Sequence, residues 1–173
     1  MRRIMIIGGP GAGKSTLARA LGDALGLPVH HIDALFWQPG WVEGDRSVLA
    51  DRLRTIYATE AWVIEGNYSA TWPERIARAD TVEHLDLPVP LRLLRVLWRI
   101  VSGYGRVRVD MAPDCPEQLD PGFLPYVVGY SRKRRPKALA LLETAPPQVA
   151  VHRLRSRGAV RRFLATAVAS QGE

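Results

Sequence analysis

Gly8-Gly9-Pro10-Gly11-Ala12-Gly13-Lys14-Ser15 fits the spacing G-x-x-x-x-G-K-[ST], and Thr16 follows it. Each residue type in that run has a chemical use. The glycines permit backbone angles that a Cβ forbids, so successive N–H groups can turn inward around a phosphate chain. A helix that starts directly after the loop adds its free N–H groups and a partial positive charge. Lys14 carries a full charge on a flexible stem to the β- and γ-phosphates. Ser15 offers a hydroxyl to Mg²⁺, a cation that binds oxygen. The run Gly9, Pro10, Gly11, Ala12, Gly13, Lys14, Ser15 and Thr16 is the expected cradle of a nucleoside triphosphate.

Phosphoryl chemistry also needs acids, and in an open parallel sheet they stand just past the strand ends. Glu65 and Asp86 are the two candidates to hold the metal, directly or through water. Asp33, a third strand-end carboxylate, either ligates metal or accepts the proton of a substrate hydroxyl. Arg92, Arg95 and Arg99 share one helix face at i, i+3 and i+7, and Arg106 and Arg108 follow in a loop. Two readings of the stripe stand. In one it is a solvated face, with Leu94, Leu97 and Val101 packing the core from the other side. In the other it belongs to a mobile lid whose arginines close over the transferred phosphoryl group and exclude water. Arg157 follows the last strand and is expected on the nucleotide side.

Other residues carry weaker signals. His30, His31, His84 and His152 form no metal constellation, and the adjacent pair points to opposite sides of a strand, in packing or surface positions. Cys115 has no cysteine or histidine neighbours for zinc. Trp37, Trp41 and Tyr68 make either an aromatic wall for a flat substrate or a piece of core. Arg132-Lys133-Arg134-Arg135 reads as a solvated helix end, with nucleic-acid contact the alternative.

The elements that must position these residues alternate. Strands are expected at 4–7, 29–32, 61–64, 81–87 and 148–154, and helices after the glycine loop and at 48–56, 73–79, 91–101, 123–130, 137–142 and 159–169. A break falls at Pro136, and residues 103–120, rich in glycine, proline and charge, read as a loop. Strands alternating with helices imply an α/β fold with a parallel sheet covered on both faces.

Composition sets bounds. A length of 173 residues suits one domain with a real core, and 47% hydrophobic residues is ordinary for a globular chain. No apolar stretch is long enough to span a bilayer, and the apolar run after Arg2-Arg3 is too short for a signal peptide. A single cysteine excludes an internal disulfide and fits a reducing compartment, so a cytoplasmic location is expected. The net charge of +7 fits a kinase that collects arginines around phosphates and also fits a nucleic-acid binder.

Taken together, the residues resemble a family. The glycine loop is similar to the adenylate-kinase and small-molecule-kinase branch of P-loop proteins. More pieces resemble the bacterial DNA topology modulation proteins, a FlaR-like, adenylate-kinase-like group. They are His31-Ile32-Asp33 with Trp37 and Trp41, and Trp62-Val63-Ile64-Glu65-Gly66-Asn67-Tyr68. They continue with Ala79-Asp80, Leu85-Asp86-Leu87-Pro88, Arg106 to Asp110, Cys115-Pro116-Glu117, and residues 149–164. The resemblance spans nearly the whole chain. It implies one P-loop NTPase domain over residues 1–173, with a five-stranded parallel sheet in the order 2-3-1-4-5. It also implies ATP over the loop and a lid at about 99–135. Glu65 stands where adenylate kinases carry a metal-associated aspartate, and Arg99, Arg106 and Arg108 fall near lid arginines. Adenylate kinases continue that third strand as Asp-Gly-Phe-Pro-Arg. Here Glu65-Gly66-Asn67-Tyr68 lacks the arginine that grips a nucleoside monophosphate, which argues against AMP as acceptor.

The resulting expectation is an ATP- and Mg²⁺-dependent kinase acting on an unidentified small-molecule or nucleotide acceptor. Lys14, Asp33, Arg99, Arg106 and Arg108 would serve catalysis, Ser15 and Glu65 the metal, and Gly9 to Thr16 with Arg157 the nucleotide. Two rivals stand beside it: an ATP-dependent DNA-binding regulator of DNA topology, and a nucleotide-switch ATPase. Arginines clustered toward the glycine loop favour the kinase, and arginines spread over an outer face favour nucleic acid.

Overall fold

The computed structural model describes residues 1–169. Its central strand β1 (Arg3–Gly8) is built from the unbroken apolar run Ile4 to Ile7, all fully buried, as expected of a parallel strand covered on both faces. The side chains alternate. Met5 and Ile7 enter one core, and Ile4 and Ile6 the other. β2 (Val29–His31), β5 (Trp62–Glu65), β6 (Thr81–Leu85) and β7 (Ala150–Leu154) complete a parallel sheet in the order β2-β5-β1-β6-β7. Counting only this sheet's strands, that is the expected order 2-3-1-4-5.

Helices cover both faces. Leu17, Ala18 and Leu21 of α1 (Lys14–Leu25) pack with Ala167 of α8 (Arg157–Ala169) on the Ile4/Ile6 side. The Met5/Ile7 side is covered by α3 (Arg46–Tyr57), α4 (Trp72–Arg78) and α7 (Arg135–Glu143), through Leu49, Leu53, Trp72, Ile76 and Ala138. α1 stops at Gly26, whose left-handed φ of 64° lets its N–H donate to Gly22 O. α3 starts at Asp45, whose carboxylate accepts from the N–H groups of Ser47 and Val48. α5 (Val89–Gly103) and α6 (Phe123–Lys133) pack on each other through Val96, Ile100 and Val127.

Several expectations need correction. The second strand ends at His31, so Asp33 lies in the first turn of a short helix, α2 (Ile32–Phe36). The loop expected around Trp37 to Trp41 is a hairpin of β3 (Trp37–Gln38) and β4 (Val42–Glu43). The break before α7 falls at Arg134, and Pro136 sits in the first turn, where no N–H is needed. Leu94, Leu97 and Val101 do not pack the core. They are exposed, and the opposite, arginine-bearing face of α5 turns inward, with Arg92 only 1% exposed. Apart from Gly103, which ends α5, the segment expected as a loop at 103–120 does lack helices and strands of its own, yet it is packed down rather than open. Met111, Ala112 and Cys115 are buried against Trp37 and Trp41. Trp41 Nε1 donates to Pro116 O at 2.9 Å, and Gly40 N to Asp114 O at 2.9 Å.

Candidate active site

All five parallel strands deliver their carboxyl ends to one rim, where the glycine loop connects β1 to α1. Gly11 and Gly13 adopt left-handed φ values of 74° and 94°, the conformation for which the loop requires glycine. Gly13 is the N-cap of α1, makes no side-chain cap, and no acid occupies the first turn. The first N–H groups of the helix are therefore left for an external anion. A cavity of about 1440 Å³ opens over the loop, lined by Pro10 through Thr16 and by Asp33, Glu65, Arg99, Arg108 and Arg157. Gly9 is buried behind it against the Arg92 guanidinium. Arg106 is exposed and lies outside the cavity lining.

The loop is held from two sides. Asn67, just past β5, donates its Nδ2 to Gly8 O at 2.8 Å and accepts from Gly8 N at 3.1 Å. That turn is fixed in turn by Arg75, which is fully buried and donates to the carbonyls of Gly66, Asn67 and Tyr68. On the other side, Arg92 donates to Pro10 O and Arg95 to Ala12 O, at 3.4 and 3.1 Å. Arg92 also reaches the carbonyls of Leu87 and Val127 and the hydroxyl of Ser131. Neither arginine is a solvated face residue or a lid residue. Arg92 locks the loop from behind, and Arg95 holds it from the cavity wall.

Glu65 is 3% exposed. Ser15 donates its hydroxyl to Glu65 Oε1 at 3.0 Å, and His31 Nδ1 lies 3.0 Å from the same oxygen. A carboxylate only accepts, which assigns the His31 proton to Nδ1. Burial pushes the Glu65 pKa up. The His31 hydrogen bond, the Lys14 charge and the Ser15 hydroxyl outweigh it, and the net shift is down. Asp33 is solvent-exposed on the cavity wall. Partial desolvation by the surrounding protein, then the nearby Glu65 charge, push its pKa up, with Lys14 and Arg108 pulling the other way.

Two acids differ from the sequence expectation. Asp86 is no metal candidate: Arg135 and Arg153 bind its carboxylate at 2.7 and 2.6 Å. Although burial acts upward, these hydrogen bonds hold its pKa down to about 2. Of the 132–135 run, Arg132 and Lys133 are the exposed end of α6, as expected, whereas Arg134 is an exposed residue of the cavity rim and Arg135 pairs with Asp86. Asp110, which sequence reasoning missed, is 6% exposed and lines the cavity beside Ser15. It pairs with Arg108 at 2.9 Å, and Glu117 in the same segment accepts from Arg99 and forms an ion pair with Arg108. The missed signal was spacing: Arg108 and Asp110 are two apart in an irregular segment, where no periodicity marks them.

The remaining wall is aromatic. Phe36, Trp37, Trp41, Tyr68 and Tyr126 line the cavity beyond Asp33, and Arg134 stacks over Tyr126 at 5.4 Å. Among the described residues, no group of three or more His, Cys, Asp and Glu side chains could hold a metal by itself. The oxygen donors at Ser15 fit a cation that arrives with phosphates and keeps part of its water shell.

The sheet order and the glycine loop at the end of its central strand define the P-loop kinase fold. Comparison with solved structures agrees. Shikimate kinase from Bacteroides thetaiotaomicron is 18% identical, with a TM-score of 0.60 over 99% of both chains. Shikimate kinase from Acinetobacter baumannii, solved in complex with shikimate, is 18% identical with a TM-score of 0.62, covering 99% of this chain and 93% of that one. A gluconokinase from Sinorhizobium meliloti 1021 is 16% identical, with a TM-score of 0.53 over 99% of this chain and 91% of that one. At these identities the likeness is one of fold. No protein-family model and no curated protein matches the sequence.

Proposed function

We propose that this chain is an ATP-dependent kinase that phosphorylates a small hydroxyl-bearing acceptor. The observation that carries the reading is the convergence of Lys14, the Ser15–Glu65–His31 contacts and Asp33 on one cavity large enough for two ligands. The loop amides and Lys14 bind the triphosphate. Ser15 and Glu65 hold Mg²⁺, which when bound neutralises charge on the phosphates. Asp33, with its raised pKa, accepts the acceptor's proton. The acceptor oxygen bonds to the γ-phosphorus, the bond to the β–γ bridging oxygen breaks, and that electron pair leaves with ADP. Arg99 and Arg108, on a lid formed by the 99–135 segment, balance charge on the moving phosphoryl group, and Arg157 lies on the nucleotide side. Arg106 has no part in this site. Arg134 and Lys137, which also line the cavity, provide charge for an anionic group on the acceptor.

The residues on which the resemblance to the DNA topology modulation proteins rests, among them Asp33, Trp37, Glu65, Asp110 and Glu117, line this same cavity. That favours chemistry on a small molecule over contact with DNA. A reducing, cytoplasmic setting suits the single free cysteine, Cys115.

The test is a phosphoryl-acceptor screen with ATP and Mg²⁺ against nucleosides, nucleotides, sugars and hydroxy acids, reading ADP release and product mass. Phosphorylated product from one acceptor class is expected. Acceptor-independent ATP hydrolysis would assign a nucleotide switch instead. Duplex DNA binding that survives physiological salt would favour the DNA regulator.

A further inference from the structure

Ser15 has one hydroxyl proton and two buried carboxylates that need it. Glu65 Oε1 accepts it at 3.0 Å, and Asp110 is also within hydrogen-bonding reach of the same hydroxyl. Glu65 comes from a strand end of the sheet and is 3% exposed; Asp110 comes from the 104–122 segment and is 6% exposed. One O–H cannot satisfy both acceptors. The other partners of Asp110 are Arg108, at 2.9 Å, and a long 3.9 Å contact to Arg19. His31 and Lys14 already serve Glu65. Two carboxylates crowded on one hydroxyl, inside a cavity floored by an anion-binding loop, leave an excess of oxygen lone pairs around Ser15. Two carboxylates from different elements that converge on one hydroxyl beside the phosphate site offer a hard cation oxygen ligands on either side.

We propose that Asp110 is an oxygen donor to the divalent ion that enters with the nucleotide, directly or through one water, opposite Glu65. The inference rests on the kinase reading above and extends it to a residue that no strand end supplies. It also gives the Arg108–Asp110 pair a meaning. When triphosphate and metal arrive together, Arg108 can pass from the carboxylate to a phosphate oxygen while Asp110 passes to the metal. One ion pair opens and two stronger contacts form. Glu117, bound to both Arg99 and Arg108, keeps the arginines near the cavity throughout. Metal binding and the seating of the segment on the cavity then become a single event.

The experiment uses the full chain and Mn²⁺ as the probe, titrated in the presence of a non-hydrolysable ATP analogue and followed by electron paramagnetic resonance of free Mn²⁺. Analogue affinity without metal is measured in parallel by calorimetry in EDTA. The variants are Asp110→Asn, Asp110→Glu and, as a charge control in the same segment, Asp114→Asn. Asp110→Asn should weaken Mn²⁺ binding by about tenfold or more, the range seen when groups that orient a metal are removed. Metal-free analogue affinity should stay within about twofold. Asp110→Glu should recover most of the Mn²⁺ affinity, and Asp114→Asn should match the parent. The same titration read by hydrogen exchange should show residues 104–120 gaining protection with Mn²⁺ in the parent and not in Asp110→Asn. Parent-like Mn²⁺ binding by Asp110→Asn overturns the inference and leaves the kinase reading standing. Equal loss of metal-free analogue affinity also overturns it, since Asp110 would then only hold the segment in place. A parent chain that binds no analogue at all overturns the kinase reading itself.

Discussion

His31 Nδ1 and Ser15 Oγ meet at a single oxygen of Glu65, each 3.0 Å away. The parallel register that pairs His31 with Glu65 across β2 and β5 makes this contact possible. A buried carboxylate is thereby kept charged at the foot of the phosphate site, where an isolated one would tend to take up a proton.

Glu65→Gln keeps the shape and removes the charge. Turnover should fall by about a hundredfold, while affinity for a non-hydrolysable ATP analogue changes only a few-fold. Steady-state ADP release and calorimetry measure the two. Because the folded pKa lies below the usual carboxylate value, the stabilisation from this charge is present at neutral pH and is lost only as pH falls through that lowered value.

Asp33 behaves in the opposite sense. Its raised pKa means that the base form appears only at higher pH than for an ordinary aspartate. The rate should therefore rise with pH through that raised value. Asp33→Asn should lower kcat by about 10²–10⁴ and leave KM for ATP nearly unchanged. A kcat that Asp33→Asn leaves unchanged would remove Asp33 from the role of base.

Arg92 is the most heavily hydrogen-bonded arginine behind the loop. Arg92→Met fills much of the space but removes the buried donor to the carbonyls of Leu87, Pro10 and Val127 and to the Ser131 hydroxyl. A loss of about 3 kcal/mol is expected, since buried polar groups left without partners cost 1–3 kcal/mol each. Urea denaturation reads it directly. A change under about 0.5 kcal/mol, the range of ordinary surface substitutions, would make the helix–loop lock incidental.

Glu83, in the middle of β6, is fully buried and lacks a hydrogen-bond partner among the described residues; the nearest base, His152 Nε2, is 4.0 Å away. Burial pushes its pKa up to about 9. A folded pKa above the unfolded one means the proton stabilises the fold at low pH, and that stability drains away as pH rises from the ordinary glutamate value toward 9. Glu83→Gln should thus match the parent near pH 4, and be the more stable protein by a margin that grows up to about pH 9. Thermal melts across that range check it, and a margin that shrinks with pH would contradict it.

Much of this was legible in the sequence because it is local. The glycine loop announces itself through backbone conformations that only glycine accepts, and Glu65 through its position at a strand end. The pairing of His31 with Glu65 was not legible. Which member of an adjacent histidine pair faces the site depends on the register with a strand more than thirty residues away. Asp110 lies in an irregular segment whose seat is set by Trp37 and Trp41 rather than by any period of its own. The orientation of α5 was misread for a similar reason. Amphipathic spacing assumes that the apolar stripe goes inside, but Arg92 and Arg95 find backbone carbonyls 82 and 83 residues away in sequence, and these reverse the helix.

That reversal has a colloidal consequence. With its arginines inside, α5 shows solvent Leu94, Trp98 and Val101, which are 63%, 70% and 76% exposed. In dilute buffer the net charge of +7 keeps molecules apart. Added sulfate screens that repulsion and strengthens the attraction between apolar surfaces, so both effects push the same way. Light scattering should climb with ammonium sulfate sooner than the charge alone would suggest, and Trp98→Lys should delay the climb.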